Sequence, residues 1–315
     1  MSYSIDPFPN RHRKNRAHYS GVFILSMAFL AFIVIGLTVS LSIRACSHHK
    51  SYAQEEIQYS EPSTESVETK HEEATEVGTP FEMPDSVVRI CMPRPLEGVS
   101  EQIIRKTAFI VSYNKDTKIP NWVAWHLTAD HTDGPVRRMS NFYEEESVVS
   151  PRATLEDYRG SGWSRGHMCP AGDNKWNDTA MYESFSLVNV CPQNANLNSG
   201  MWNSIEIDCR RWARNYGDIY IVCGPIFLNR EHETIGANKV VVPDAFFKVV
   251  LCLNGTPKAL GVICRNTDGN RKRDLYYNSI DQVERIIGID FFHALPDEIE
   301  ETVEAEADVN DWNWQ

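Results

Sequence analysis

The pattern of apolar and polar positions first separates a long apolar segment from the rest of the chain. Residues 21–43 contain no charged side chain over 23 positions, and a helix of roughly 20 such residues can span a bilayer. The apolar region of a cleaved signal peptide is shorter, about 7 to 15 residues. We therefore predict one uncleaved transmembrane helix over residues 21–43, with a cleaved leader as the alternative.

The segments on either side of this apolar stretch predict its orientation. Four basic residues lie within residues 11–16, whereas only Arg44 and Lys50 closely follow the apolar stretch. The positive-inside tendency places residues 1–20 in the cytoplasm and the rest of the chain outside it, as a single-pass membrane-anchored protein. Residues 44–85 are rich in Glu, Ser and Thr, and we predict that they form a disordered acidic linker.

From residue 86 to residue 315 the pattern is that of a folded domain rich in strands. Runs of β-branched and aromatic residues bounded by turn residues predict strands at 107–113, 122–127, 185–190, 219–223, 245–253 and 259–264. The last two strands flank Asn254 and Gly255, a pair typical of a tight hairpin.

Two helices are predicted from their apolar spacing. An apolar residue recurs every three or four positions from Leu197 to Trp212, which predicts a helix over residues 197–215. A second helix is predicted over residues 281–287. Strands interrupted by so few helices indicate an α+β domain.

The net charge of −12 changes the picture little, because it is unevenly spread. The acidic side chains concentrate in residues 51–85 and in an acidic tail over residues 297–315, so residues 86–296 are neutral. Nucleic-acid binding normally uses a footprint of Lys and Arg side chains. The charge of this chain neither supports nor excludes such a partner.

The candidate chemistry lies in two polar segments of the domain. Residues 163–170 read Trp-Ser-Arg-Gly-His-Met-Cys-Pro and place His167 between turn-forming residues. On the predicted helix, Asn198, Glu206 and Arg210 recur in multiples of four positions, so their side chains form a polar band beside the apolar stripe.

These segments resemble the DNA/RNA non-specific endonuclease family, which is of the ββα-metal (His-Me finger) type and includes the endonuclease G-like proteins. The resemblance covers roughly residues 105–296. It rests on DYRGSGWSRGHMCPAGDNKWN (157–177), SLVNVCPQNANLNSGMWNSIE (186–206), GPIF (224–227), VPDAFFKVV (242–250) and VERIIGIDFF (283–292). The family signature is usually Asp-Arg-Gly-His, and Ser164 replaces the Asp here.

The resemblance implies a domain with a mixed, mainly antiparallel sheet and metal-dependent endonuclease activity on DNA, RNA or both. A neutral histidine can take a proton from water, and we assign that general-base role to His167. Asn198 would hold Mg²⁺ or another divalent cation such as Mn²⁺, and Glu206 would anchor its waters. Arg165 and Arg210 would clamp phosphate oxygens.

The resemblance also implies supporting positions. Asn189 and Gln193 match residues that orient the histidine or the waters of the metal. Arg137 and Arg138 lie where related sequences carry a further phosphate-binding arginine, and the spacing does not distinguish them, so Arg138 is kept as a weak candidate only. Ser164 contributes only a neutral hydroxyl where an acid is usual.

Two alternatives to a nuclease stay open from the sequence. Ser164 and the missing basic stripe are compatible with a catalytically weak or inactive nuclease-fold binding protein of the cell envelope. A phosphodiesterase that acts on another ester would share the same chemistry. A disulfide between Cys191 and Cys209 would pin the predicted helix to the preceding segment, whereas the other domain cysteines are expected to be buried small apolar residues.

Overall fold

A seven-stranded antiparallel sheet forms the centre of the described residues, which are 83–267, 272 and 275–312 of this computed structural model. In spatial order its strands are β1 (Gln102–Arg105), β2 (Ile110–Asn114), β3 (Ile119–Thr128), β6 (Asp218–Ile226), β9 (Ala245–Cys252), β10 (Lys258–Arg265) and β11 (Tyr277–Asn278). The short strands β7 (Thr234–Ile235) and β8 (Val240–Val241) pair separately from this sheet. β2 and β9 are buried along their whole length, so both faces of the sheet are covered. The α+β prediction is confirmed.

The predicted hairpins form at the expected turns. β9 and β10 pair from Cys252 and Lys258 outward, and Gly255 in their turn has a φ of 76°, which favours glycine. The turn between β2 and β3 is held by the side chain of Asn114, whose Oδ1 accepts a hydrogen bond of 2.8 Å from the Asp116 amide. Five of the six predicted strands therefore correspond to strands of the main sheet.

The predicted strand over residues 185–190 is wrong. Phe185 ends helix α3 (Asp178–Ser184), and a 3₁₀ turn follows over Leu187–Asn189 before strand β5 (Val190–Gln193) begins. The apolar run arises because Phe185, Leu187 and Val188 are each no more than 2% exposed. A buried irregular segment needs apolar side chains as much as a strand does.

A short hairpin and a helix lie together beside the main sheet. Strand β4 (Ser164–His167) pairs with β5, so that His167 faces Val190 across the hairpin. Gly166 is required in β4, since a Cβ there would lie 2.6 Å from the Cβ of Gln193. The hairpin leads through helix α4 (Ala195–Leu197) and a wide turn over Asn198–Trp202 into helix α5 (Asn203–Tyr216).

The helix predicted over residues 197–215 is therefore confirmed, except for an interruption near its start. Asn194 caps its first turn by accepting hydrogen bonds from the amides of Asn196 and Leu197. Gly200 then adopts non-helical angles of −104° and −108°, which widens the turn that carries Asn198. Wide turns of this kind occur frequently at functional sites.

The remaining helices lie at the ends and in the connections of the domain. They are α1 (Asp85–Cys91), α2 (Leu155–Tyr158), α6 (Ile280–Ile287) and α7 (Asp297–Ala305). α6 corresponds to the helix predicted over residues 281–287. The predicted acidic tail contains α7, and Trp312 beyond it is 1% exposed and packs 4.6 Å from the ring of Trp212 on α5.

All seven described cysteines are buried as free thiols. The bridge considered between Cys191 and Cys209 is therefore not formed. Burial raises the pKa of both thiols above the usual range, because a thiolate is poorly solvated there. The described cysteines behave as small apolar core residues.

The predictions for residues 1–20, 21–43 and 44–82 lie outside the described residues. Among the helices that are described, none has the length and apolar character needed to cross a membrane. The domain predicted from residue 86 begins in the structure with α1 at Asp85.

Candidate active site

Six of the predicted site residues line one pocket of about 850 Å³. They are Arg138, Ser164, Arg165, His167, Asn198 and Glu206. The pocket lies between the β4–β5 hairpin and the start of α5. Residues that are far apart in the sequence thus meet at one site, whereas Asn189, Gln193 and Arg210 are not among its lining residues.

His167 is held between two aromatic rings at the wall of the pocket. The ring centroids of Phe142 and Phe185 both lie 4.9 Å from that of His167, and Phe185 approaches edge-on. The imidazole is 7% exposed, and its Nε2 is buried with no hydrogen-bond partner among the described residues. A ring nitrogen in this state can accept a proton from a molecule that enters the pocket.

The surroundings of His167 keep it neutral. Burial lowers its pKa to about 3, and the positive charges of Arg138 and Arg165 add to this effect. The imidazole is therefore unprotonated over the whole neutral range, which is the form that a general base requires.

Two exposed arginines lie beside the same aromatic rings. The guanidinium carbon of Arg165 is 4.7 Å from the centroid of Phe142, and that of Arg138 is 5.3 Å from the centroid of Phe185. These cation–π contacts orient both guanidinium groups at the pocket without using up their hydrogen-bond donors. Of the two neighbouring arginines considered from the sequence, Arg138 is the one that lines the pocket.

Asn198 on the wide turn and Glu206 on α5 line the same pocket as His167. Burial raises the pKa of the Glu206 carboxyl to about 7, while the positive charges of Lys248 and Arg210 oppose a further rise. The two side chains offer an amide oxygen and a carboxylate, which are the donors that a hard divalent cation prefers. No cysteine is among the residues described as lining the pocket, so this donor set fits Mg²⁺ or Mn²⁺.

Arg210 is not among the residues that line the pocket. Its Nη1 donates a hydrogen bond of 2.8 Å to Oδ1 of Asp173, whose side chain is 1% exposed. Oδ2 of Asp173 accepts a second hydrogen bond of 3.1 Å from the indole of Trp125. The phosphate-clamping role predicted for Arg210 is thus not supported by its position, because this ion pair joins α5 to the segment that follows β4.

Asn189 and Gln193 stand behind the histidine. The Asn189 side chain accepts a hydrogen bond of 2.8 Å from the Cys169 amide and donates to the carbonyls of Cys169 and Ser184, both at 2.8 Å. It thereby fixes the chain two residues beyond His167. Gln193 is buried opposite Ser164 in the hairpin register. Both residues position the site and do not touch the pocket.

Three residues around the site escaped sequence reasoning. Phe142 and Phe185 contact His167 only through the tertiary fold. Lys248 is fully buried in β9, with its ammonium 4.8 Å from the Trp125 ring and 4.7 Å from the Trp202 ring. A single lysine within an otherwise apolar strand, FFKVV, was the available signal for a buried charge.

The comparison with known families agrees with this geometry. The model of the family described as DNA/RNA non-specific endonuclease matches residues 90–298. The chain belongs to this family. The mitochondrial nuclease EXOG of Mus musculus is 36% identical over 219 residues, which is 64% of this chain and 59% of that protein. The chain therefore spans less than two thirds of that relative's length.

For other relatives, the match covers a larger share of the relative's own length. Nuclease C1 of Cunninghamella echinulata var. echinulata is 35% identical over 215 residues, covering 63% of this chain and 85% of that protein. A crystal structure of the EndoG/EndoGI complex contains a chain with a TM-score of 0.61 and 28% identity. That match covers 65% of this chain and 90% of the other.

Proposed function

We propose that this protein is a divalent-cation-dependent endonuclease that hydrolyses phosphodiester bonds of DNA, RNA or both without marked sequence preference. The observation that carries the proposal is that His167, whose buried Nε2 has no hydrogen-bond partner among the described residues, lines the same pocket as Asn198 and Glu206. Membership of a family whose relatives are named nucleases supports it.

In the proposed reaction, His167 acts as the general base. Its imidazole accepts a proton from water while the water oxygen bonds to phosphorus, the bond from phosphorus to the leaving sugar oxygen breaks, and that oxygen takes a proton from solvent. Phe142 and Phe185 hold the ring in one orientation, so little order has to be gained when the substrate binds. General-base assistance of this kind typically contributes about 10² to 10⁴ in rate.

The phosphate is proposed to bind to Arg138 and Arg165. Both guanidinium groups are exposed at the pocket, and the planar donors of arginine match paired phosphate oxygens. Contacts to phosphate carry no information about the base sequence. This accounts for the proposed lack of sequence preference.

A divalent cation completes the proposed site. Asn198 would hold it through the amide oxygen, and the Glu206 carboxylate would accept hydrogen bonds from its hydration shell. When bound, the cation neutralises negative charge on the phosphate and on the leaving oxygen. Arg210 has no catalytic role in this proposal, and it stabilises the position of α5 through its hydrogen bond to Asp173.

We further propose that residues 21–43 anchor the protein in a membrane, with residues 1–20 cytoplasmic and the catalytic domain extracytoplasmic. The support is the uncharged run of 23 residues and the basic residues that precede it. Protease added outside intact or outer-layer-permeabilised cells should release the domain by cleavage within residues 51–85. Full protection of the domain under both conditions, with the chain intact, contradicts this topology.

The enzymatic proposal is tested by cleavage of plasmid DNA and of RNA by the purified chain with Mg²⁺ or Mn²⁺. We expect cleavage that a chelator abolishes, and a loss of at least about 100-fold in His167→Ala, whose fold circular dichroism should show to be retained. Added imidazole should restore part of the activity of His167→Ala, because it replaces the missing base. An unaltered rate in the variant removes His167 from the mechanism, and a wild-type chain without cleavage supports the inactive binding protein.

A further inference from the structure

A second group of possible cation ligands lies between helices α6 and α7. Asp281 and Glu284 project from α6, and Glu304 projects from α7. Each carboxylate offers one oxygen, and these oxygens lie within 4.8 Å of one another. None of the three residues lines the pocket that contains His167.

The state of Glu304 distinguishes this group from an ordinary acidic surface. Its residue is 7% exposed, and its Oε1 is buried with no hydrogen-bond partner among the described residues. The carboxylate points to Asp281 and Glu284, which carry the same charge. A buried carboxylate normally has a counter-charge or a set of hydrogen-bond donors, because its desolvation is not compensated when neither is present.

The neighbouring charges do not supply that compensation in the described part of the chain. Arg94 pairs with Asp290 at 2.6 Å, and Arg285 lies 3.7 Å from Asp281 in an exposed pair. Burial, followed by repulsion from Glu284 and other nearby carboxylates, raises the pKa of Glu304 to about 8. The close approach of these carboxyl groups therefore favours either bound protons or a bound cation at the interface.

We propose that Asp281, Glu284 and Glu304 bind one Ca²⁺ ion that joins α6 to α7. Ca²⁺ binds oxygen at about 2.3 to 2.6 Å, so two oxygens on opposite sides of one ion can be roughly 4.8 Å apart. The carboxylate oxygens of these three residues all lie within 4.8 Å of one another, which is compatible with a shared ion. It accepts six to eight oxygen ligands in flexible geometry, and water can complete the set. Mg²⁺ requires shorter bonds and a more regular octahedron.

One proposed ligand of this site lies outside the family match. The family match ends at residue 298, so Glu304 lies beyond it. α7 leads to Trp312, which packs against Trp212 on α5, the helix that carries Glu206. Ca²⁺ at α6–α7 would thus fasten the C-terminal segment against the back of the catalytic helix.

The site is tested by counting bound Ca²⁺ in the metal-stripped full-length chain by equilibrium dialysis with radioactive calcium. The measurement uses an Asn198→Ala background, so that the proposed active-site cation does not contribute. We expect this protein to bind one Ca²⁺ ion more than the Asn198→Ala/Glu304→Gln double variant. Adding Glu301→Gln instead, an exposed residue of the same helix, should leave the count unchanged.

Two further measurements keep the test decisive. Circular dichroism checks that each variant is folded, and the single variant Glu304→Gln should keep its nuclease activity in Mg²⁺. Ca²⁺ should raise the melting temperature of the Asn198→Ala protein and not that of the double variant. The proposal is overturned if Asn198→Ala binds no Ca²⁺, or if Glu304→Gln leaves binding and melting shift unchanged. A melting temperature that responds to acid but never to Ca²⁺ also overturns it, since the carboxyls then share a proton.

Discussion

Arg210 donates a hydrogen bond of 2.8 Å to the buried carboxylate of Asp173, and this ion pair joins α5 to the segment that follows His167. The sequence suggested a phosphate ligand at this arginine. Its position indicates a structural role instead. Because the two residues hold α5 against the β4 side of the pocket, their loss should change stability more directly than substrate binding.

We expect Arg210→Met to destabilise the fold by about 3 to 5 kcal/mol, since it leaves the Asp173 charge buried without its partner. Urea unfolding measures this change. Arg214→Met, at an exposed position of the same helix, serves as the control and should be close to wild type. If Arg210→Met is as stable as the wild type but has a raised KM for nucleic acid, Arg210 binds the substrate phosphate and the structural role is wrong.

Asn198→Ala should raise the divalent cation concentration needed for half-maximal cleavage by at least about 10-fold, because even supporting residues of metal sites often contribute that much. Titration of activity with Mg²⁺ measures the shift. Asn203→Ala is the matched control, as Asn203 also lines the pocket but is not assigned to the cation. Overlapping titration curves for wild type and Asn198→Ala refute the assignment.

The cation affinity of the wild-type enzyme should fall as the pH decreases below about 7. Burial raises the pKa of Glu206 to about 7, so acid protonates the carboxylate and removes its attraction for the hydrated cation. His167, with a pKa of about 3, stays neutral over the same pH range, so it does not cause this loss of cation affinity. Mg²⁺ titrations at several pH values between roughly 5.5 and 8.5, on both sides of that pKa, measure the effect.

Glu206→Gln provides the control for this pH dependence. The amide cannot titrate, so cation affinity should be weak and nearly independent of pH. If the variant keeps the pH dependence of the wild type, another group is responsible for it.

Lys248→Met should move the pH midpoint of cation affinity upward. The buried ammonium opposes the rise in the Glu206 pKa, so its removal leaves the carboxyl protonated to a higher pH. Lys115→Met, at an exposed position on the β2–β3 turn, should leave the midpoint in place. A midpoint that is unchanged in Lys248→Met would limit Lys248 to packing between Trp125 and Trp202.

The sequence predicted those parts of the fold whose signal is local. The β9–β10 hairpin follows from Asn254 and Gly255, and α5 follows from its apolar stripe. The segment from Phe185 to Val190 was misjudged, because burial in an irregular segment produces the same apolar run as a strand.

The site was predictable where the family resemblance supplied a motif and failed where tertiary contacts decide the role. His167, Asn198 and Glu206 do meet in one pocket. The engagement of Arg210 by Asp173 could not be inferred, since 37 positions separate the two residues and no periodicity links them. The aromatic clamp on His167 depends in the same way on a fold that brings Phe142 and Phe185 together.

The strand order of the main sheet bears on when the enzyme first becomes active during its synthesis. β3 pairs Val123 with Cys223 of β6, and β6 in turn pairs with β9. β9 can therefore join the sheet only after residue 252 has left the ribosome. Pairing between such distant segments is slow, because the loop entropy is lost before the contacts form. We therefore expect the nascent polypeptide to hold His167 and Glu206 together, and to cleave RNA, only after β9 has been synthesised.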